Sequence, residues 1–258
     1  MNGGSQSNPS EELAKAFERN PVFAHMLPAE LYGRWLEASW AFLDATANPE
    51  AFRECLDRYS YDEGKEFGRL LQVYTDAVEE RPFRDVLGEL FMRLDANAAR
   101  NGQVFTPWEI AGLMARMQFS REEFEALARE KGEVSVIDPA VGSGVLLLAF
   151  AHLVHAELGR PAVRKLRLYG TDIDRRCVLM CRIQLRMNGL DAFGRLAGLL
   201  AAVPRNDPQG EPAEEQTRAA PVAIAQAQAE PALSKAVILQ GEEWREEEDH
   251  IERQCELF

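Results

Sequence analysis

The chain has 258 residues, an apolar fraction of 46% and a formal net charge of −13. That length suits one large domain or two small ones, the apolar fraction is that of an ordinary globular protein, and the acidity argues against a surface that binds nucleic acid all over. No apolar run approaches a membrane span, and "MNGGSQSNPS" has neither the basic start nor the apolar centre of a secretory signal, which leaves a cytoplasmic protein as the expectation.

Residues 1–10 read as a disordered lead, and residues 11–101 as a helical N-terminal domain. "AELYGRWLEASWAFLDAT", "EGKEFGRLLQVYTDAVEE" and "FRDVLGELFMRLDANAAR" each repeat apolar residues every three or four positions, with Asn101-Gly102 as the stop signal of the last helix. Thr106-Pro107 then reads as a helix start, with Thr106 as the cap and Pro107 in the first turn. Strand "VSVID", helix "GVLLLAFAHLVHAEL", strand "LRLYGTDI" and helix "RRCVLMCRIQLRMNG" follow. This alternation predicts an α/β domain over 102–202 with a parallel, doubly wound sheet. Residues 203–235, rich in Ala, Gln, Pro and Glu, read as a linker or insertion, and 236–258 as a last strand candidate, "KAVILQG", followed by an acidic tail.

Cys55, Cys177, Cys181 and Cys255 show no metal-ligand spacing and read as reduced thiols of a core. Arg160, Arg164, Lys165, Arg167, Arg175, Arg176, Arg182 and Arg186 concentrate positive charge in one stretch, where a local DNA-facing patch is allowed.

The stretch "DPAVGSG" carries the chemistry. Asp138 ends a strand, and Gly142 and Gly144 let the backbone approach a ligand at the start of a helix. A phosphate-binding loop needs Gly-Lys-Ser/Thr, but Val145 follows Gly144; a dinucleotide fingerprint needs a third glycine where Leu147 stands. S-adenosylmethionine fits what remains: a cation whose amino group can meet Asp138, with a ribose that Asp172, at the end of the next strand, can hold by both hydroxyls. Asp174 reads as the cap of the following helix.

Taken together and in order, "GQVFTP", "DPAVGSG" and "GTDID" resemble the gamma-class amino-methyltransferases that methylate N6 of adenine in DNA, among them the modification subunits of type I restriction systems. "DVLGELFMRL" looks like the helix that precedes the FTP motif in that family, and "DIDRRCVLMCRIQL" looks closer still to short adenine-methylase-like proteins of phages and integrative elements. The resemblance covers residues 83 to about 190 and implies a Rossmann-like S-adenosylmethionine-dependent methyltransferase fold, with a sheet that is truncated if the chain lacks its later strands. It implies that Phe105, Thr106 and Pro107 contact the methionine end of the cofactor, that Asp138, Pro139, Ala140, Gly142, Ser143 and Gly144 form its main loop, and that Asp172 with Ile173 holds the ribose. Glu242, after the last strand candidate, stands where the family places an acidic residue against the cofactor adenine, which makes 191–235 an insertion.

The family's catalytic tetrapeptide, Asn/Asp/Ser-Pro-Pro-Tyr/Phe, does not occur; "NDPQ" at 206–209 is the nearest string. The catalytic residues are therefore not assigned. Two functions are open: a DNA methyltransferase acting on N6 of adenine, and a cofactor- or DNA-binding module that works with a second chain supplying the missing motifs. A small-molecule or protein methyltransferase is disfavoured by the FTP motif and the helical N-terminal segment. Finally, "QCELF" resembles peptides that dock on the bacterial sliding clamp, through Gln254, Leu257 and Phe258, with Cys255 in place of the usual leucine. The alternative there is an ordinary helix end that packs on its own domain.

Overall fold

The computed structural model describes residues 9–95 and 105–190 and the backbone of 237–238. Five helices come first: α1 (Pro9–Glu18), α2 (Pro28–Leu43), α3 (Pro49–Leu56), α4 (Tyr61–Glu80) and α5 (Val86–Leu94). Their starts are chemically marked. Pro28 and Pro49 sit in first turns, where a missing N–H costs nothing. Ser60 and Glu63 form a reciprocal capping box on α4, and the Asp85 side chain caps α5 by accepting from the Gly88 amide. Helix α1 begins inside the stretch expected to be a lead. Helix α5 stops at Leu94 rather than continuing toward Asn101-Gly102, a stop signal that lies outside the described residues. Asp95, in an extended conformation, instead reaches Arg176 at 3.4 Å.

The helices close around an aromatic core of Phe17, Tyr32, Trp35, Tyr74 and Phe91, with edge-to-face contacts of Trp35 to Phe17 and Tyr74. The Trp35 indole N–H donates to the Phe67 carbonyl at 3.3 Å, so the buried ring keeps its polar handle satisfied.

The second half contains α6 (Trp108–Gln118), α7 (Arg121–Glu130), β1 (Val134–Asp138), α8 (Val145–Leu158), α9 (Arg160–Val163), β2 (Leu166–Gly170) and α10 (Arg175–Met187), then β3 (Val237–Ile238). Helix α6 starts one residue later than its sequence suggests. Pro107, not Thr106, is its cap, and the Pro107 carbonyl accepts from Ile110 and Ala111. Helix α7 is capped by Ser120, the first residue of a Ser-x-x-Glu start.

Strands β1 and β2 pair in parallel, from Val134 opposite Leu166 to Asp138 opposite Gly170. The strand order is β2-β1-β3, and β3 runs antiparallel to β1. The doubly wound parallel sheet is therefore realised, among the described residues, as one parallel pair with a short antiparallel neighbour. β3 adds to the edge of β1 that β2 leaves open, and an edge accepts a strand of either direction because both ladders pair its backbone groups. Val134, Val136, Leu166 and Leu168 share one face of the sheet and pack with α6, α7 and α8. Helix α8 is apolar on nearly every side and buried, as a helix wedged between a sheet and α6 must be.

The two halves are not packed as separate cores. Cys181 and Leu185 of α10 join the core around the sheet, whereas Cys177, Leu179, Met180 and Ile183 of the same helix complete the aromatic core of the N-terminal helices. The sequence boundary at 101–102 thus divides the chain but not its packing. Among the described residues no helix is long and apolar enough to cross a membrane.

This shared wall makes a prediction. Ile183 is fully buried, and Ile183→Ala should destabilise the chain by about 2–5 kcal/mol. Aromatic near-ultraviolet and helical far-ultraviolet circular dichroism should lose signal at one common, lowered midpoint. A variant in which one half melts early and the other keeps its wild-type midpoint would contradict the shared core.

Candidate functional site

The carboxyl ends of β1 and β2 are laced together by backbone. Thr171 N–H donates to the Asp138 carbonyl (3.0 Å), and Val141 N–H donates to the Thr171 carbonyl (2.9 Å). The Thr171 hydroxyl donates to the Pro139 carbonyl at 2.9 Å. This fixes the loop Pro139–Gly144 against the start of the loop after β2.

The three sequence motifs meet at Gly142. Its N–H donates to the Asp172 carboxylate at 2.9 Å. Its φ is +53°, and a Cβ there would lie 3.2 Å from the Phe105 ring. Gly144, at φ +94°, caps α8, and a Cβ there would lie 2.9 Å from the Cys181 sulfur. Both positions therefore need glycine, for conformation as well as space. Phe105 in turn packs on Phe91, with ring centroids 5.4 Å apart. Thr106 lies half-buried beside it, Pro107 is exposed and Ile173 is 73% exposed.

The two carboxylates differ in their surroundings. Asp138 has no exposed surface, and its Oδ1 accepts from the Ala140 amide at 3.0 Å, closing the first bend of the loop. Its first role is to build the turn from inside. Asp172 is only partly buried, and each of its oxygens already accepts one backbone amide, Oδ2 from Gly142 and Oδ1 from Asp174 (2.8 Å). A carboxylate oxygen has a second lone pair, so Asp172 can still accept from a ribose. Asp174 caps α10 as expected, accepting from the Arg176 amide at 2.8 Å.

Ser143 reveals what the motifs missed. Its fully buried hydroxyl donates to Asp85 Oδ2 at 2.6 Å, while Gln184 Nε2 donates to Asp85 Oδ1 (2.7 Å) and to the Ser143 carbonyl (2.8 Å). Asp85 had a faint signal, an Asp-x-x-Gly start to a helix. Gln184 had another, a polar residue on the buried side of "RRCVLMCRIQLRM". Thr171 had none.

Burial pushes Cys181 and Cys177 well above the usual thiol range, so both remain protonated core thiols rather than nucleophiles. Arg160, Arg164, Lys165 and Arg175 of the basic stretch are exposed, and several of its side chains have partners within the chain. Arg175 pairs with Glu37 (3.6 Å) and Arg176 with Asp174 and Asp95 (2.9 and 3.4 Å). The Arg182 guanidinium lies 3.9 Å over Trp40, Arg186 donates to the Leu43 carbonyl, and Arg167 pairs with Glu133. Glu242, Gln254, Leu257 and Phe258 lie outside the described residues, as do residues 203–235. No cluster able to hold a metal ion occurs among the described residues.

A model of the N-6 DNA Methylase family matches residues 83–197. That stretch, rather less than half of the chain, is similar to the family's pattern. The matched segment begins at Phe83, so it takes in Asp85 and α5 as well as the glycine turn. Two solved structures are similar at low scores. One, from Listeria monocytogenes, is described as a class I S-adenosylmethionine-dependent methyltransferase: 15% identity, TM-score 0.38, covering 74% of this chain and 52% of that one. The other is a type I restriction-modification methyltransferase subunit from Streptococcus thermophilus: 14% identity, TM-score 0.35, covering 79% and 60%. The chain thus spans between half and two thirds of these proteins, and superpositions at such scores add nothing to the family match. No curated protein matches the chain.

The site also carries a pH prediction. Burial raises the Asp85 carboxyl above its ordinary value, against the pull of the bonds from Ser143, Gln184 and Gly88. Tyr32, Tyr74, Cys177 and Cys181 feel its charge, and the neighbouring Glu89 adds to the rise. A carboxyl whose pKa is raised on folding contributes stability that is fully present below the unfolded value and is lost as pH rises through the folded one. Denaturant midpoints should therefore favour wild type over Asp85→Asn increasingly as pH falls from neutral toward the ordinary carboxyl range. A difference that does not change with pH would contradict a raised value.

Proposed function

We propose that this chain binds S-adenosylmethionine at the Gly142 turn and acts, as a member of the N6-adenine methylase family, on adenine in DNA. The observation that carries the reading is the convergence at Gly142. Phe105 from the FTP motif, the DPAVGSG loop and Asp172 are separated along the chain, yet Gly142 of that loop bonds Asp172 through its amide and has the Phe105 ring where a Cβ would project. Their order matches a family whose pattern covers residues 83–197.

The residues present suit this cofactor. The turn offers backbone at two positive-φ glycines and the first amides of α8, which α8's own hydrogen bonding leaves unused. Asp172 keeps acceptor capacity for the ribose hydroxyls, and Phe105 walls the turn on one side. When bound, the cofactor supplies an activated methyl group. The protein's share at this site is to hold that methyl in one place, so that an approaching amino group meets it in line. Pro139, Ala140 and Ile173 complete the rim of the proposed site. Glu242 remains a proposed contact to the cofactor adenine.

A second reading is favoured by one sequence feature: no Asn/Asp/Ser-Pro-Pro-Tyr/Phe string occurs in residues 1–258. Under it, the chain is a cofactor- and DNA-binding module that works with a partner carrying the catalytic motif. The "QCELF" ending, with Gln254, Leu257 and Phe258, keeps the sliding clamp as a proposed partner.

Calorimetry with S-adenosylmethionine and a tritiated-methyl assay on DNA lacking adenine methylation separate these readings. Wild type should bind. Asp172→Ala should bind about 10 to 150 times more weakly, the roughly 1.5–3 kcal/mol of a hydrogen bond to a charged group. Label in DNA that Asp172→Ala loses supports the methyltransferase. Tight binding with no label in any DNA selects the module, and no binding at all overturns both.

A further inference from the structure

A fully buried chain of hydrogen bonds runs from the N-terminal helices to the glycine turn. On α2, the Tyr32 hydroxyl donates to the Leu87 carbonyl at 2.9 Å. The Leu87 N–H donates to Gln184 Oε1 at 3.1 Å. Gln184 Nε2 donates onward to Asp85 Oδ1 and to the Ser143 carbonyl, and the Ser143 hydroxyl closes the circuit on Asp85 Oδ2. Asp85, Gln184 and Ser143 are at most 5% exposed.

A helix cap does not explain this arrangement. Serine or asparagine caps a helix as well as aspartate does. Aspartate supplies a second oxygen, and here that oxygen is committed to Ser143. The carboxylate is buried with three donors and, among the described residues, no cation in contact, a costly choice that capping alone would avoid. On the α5 side it is held by the Gly88 amide at 3.0 Å and fills space that only glycine leaves open, since a Cβ there would lie 2.3 Å from Asp85 Oδ2. On the far side it holds Ser143, the residue between the two positive-φ glycines. Gln184 is bonded at both ends in the same sense, to α5 backbone through Oε1 and to turn backbone through Nε2.

We propose that Asp85 is a positioning residue for the cofactor turn. Acting through Ser143 and Gln184, it holds the Gly142-Ser143-Gly144 backbone in its binding shape and makes cofactor affinity depend on the packing of α2 and α5. The proposal rests on the cofactor reading of that turn. The shape of the turn itself can be measured without ligand.

The experiment combines hydrogen–deuterium exchange of residues 138–148 in the free protein with calorimetry using S-adenosylhomocysteine. Asp85→Ala should speed exchange of that segment and weaken binding, each at least about tenfold. Asp85→Asn should stay within about threefold of wild type, because its carbonyl keeps the Gly88 and Gln184 bonds while its amide can donate to Ser143. Asp85→Ala combined with Ser143→Ala should bind no more weakly than Asp85→Ala alone, since both remove one shared interaction. Should Asp85→Ala fail to fold, Ser143→Ala carries the test. It leaves the α5 cap in place, and it should speed exchange at 138–148 while leaving 84–94 at the wild-type rate. A variant that melts earlier but keeps wild-type exchange at 138–148 and wild-type affinity overturns the proposal and leaves Asp85 as an ordinary cap. If wild type itself binds no S-adenosylhomocysteine, the cofactor reading fails, and the exchange data still decide whether Asp85 holds the turn.

Discussion

The hydrogen bond from the Gly142 amide to the Asp172 carboxylate is the contact on which the site depends. It joins two loops that leave adjacent parallel strands, and it does so at a residue whose positive φ only glycine adopts cheaply. Around it the backbone bonds between Asp138, Thr171 and Val141 hold the loops in register. Phe105, arriving from before α6, closes the third side. A ligand that meets this turn meets backbone already fixed in place, so little ordering entropy opposes binding.

That rigidity is inherited from α10. One helix supplies side chains to both cores, carries Gln184 to the buried carboxylate of Asp85, and places Cys181 directly behind Gly144. Its arginines serve the same end. Arg182 stacks on Trp40 of α2, Arg186 reaches the Leu43 carbonyl, and Arg176 spans Asp174 and Asp95 while lying over Phe91. Partly exposed ion pairs of this kind stabilise little one by one. Together they orient a helix whose first turn is capped at the site by Asp174.

How much of this was legible in the sequence follows from how local each signal is. Strand "VSVID" with the glycine turn, and separately Asp172 with the Asp174 cap, are each encoded within a few residues, and all stand where the pattern puts them. The N-terminal helices were legible from their period. Their dependence on α10 was not, because periodicity marks an apolar face without naming the surface that covers it. Asp138 reads in sequence as a carboxylate facing a ligand, and the sequence does not show that it is fully buried with Oδ1 closing its own turn. Asp85 and Gln184 act across about a hundred residues of chain, a distance at which a polar residue in an apolar helix is only an oddity. The basic run 160–186 shows the same limit, since its partners, Glu37, Trp40 and Leu43, lie far upstream.

Amide-resolved nuclear magnetic resonance during titration with S-adenosylmethionine tests the central claim most directly. The largest shifts are expected at Gly142, Ser143, Gly144 and Asp172, with smaller ones along the start of α8. Shifts confined to the apolar cavity of about 340 Å³ between α2, α3 and α4, or to the cleft beside Arg160 and Arg164, with Gly142 and Asp172 unmoved, would contradict it.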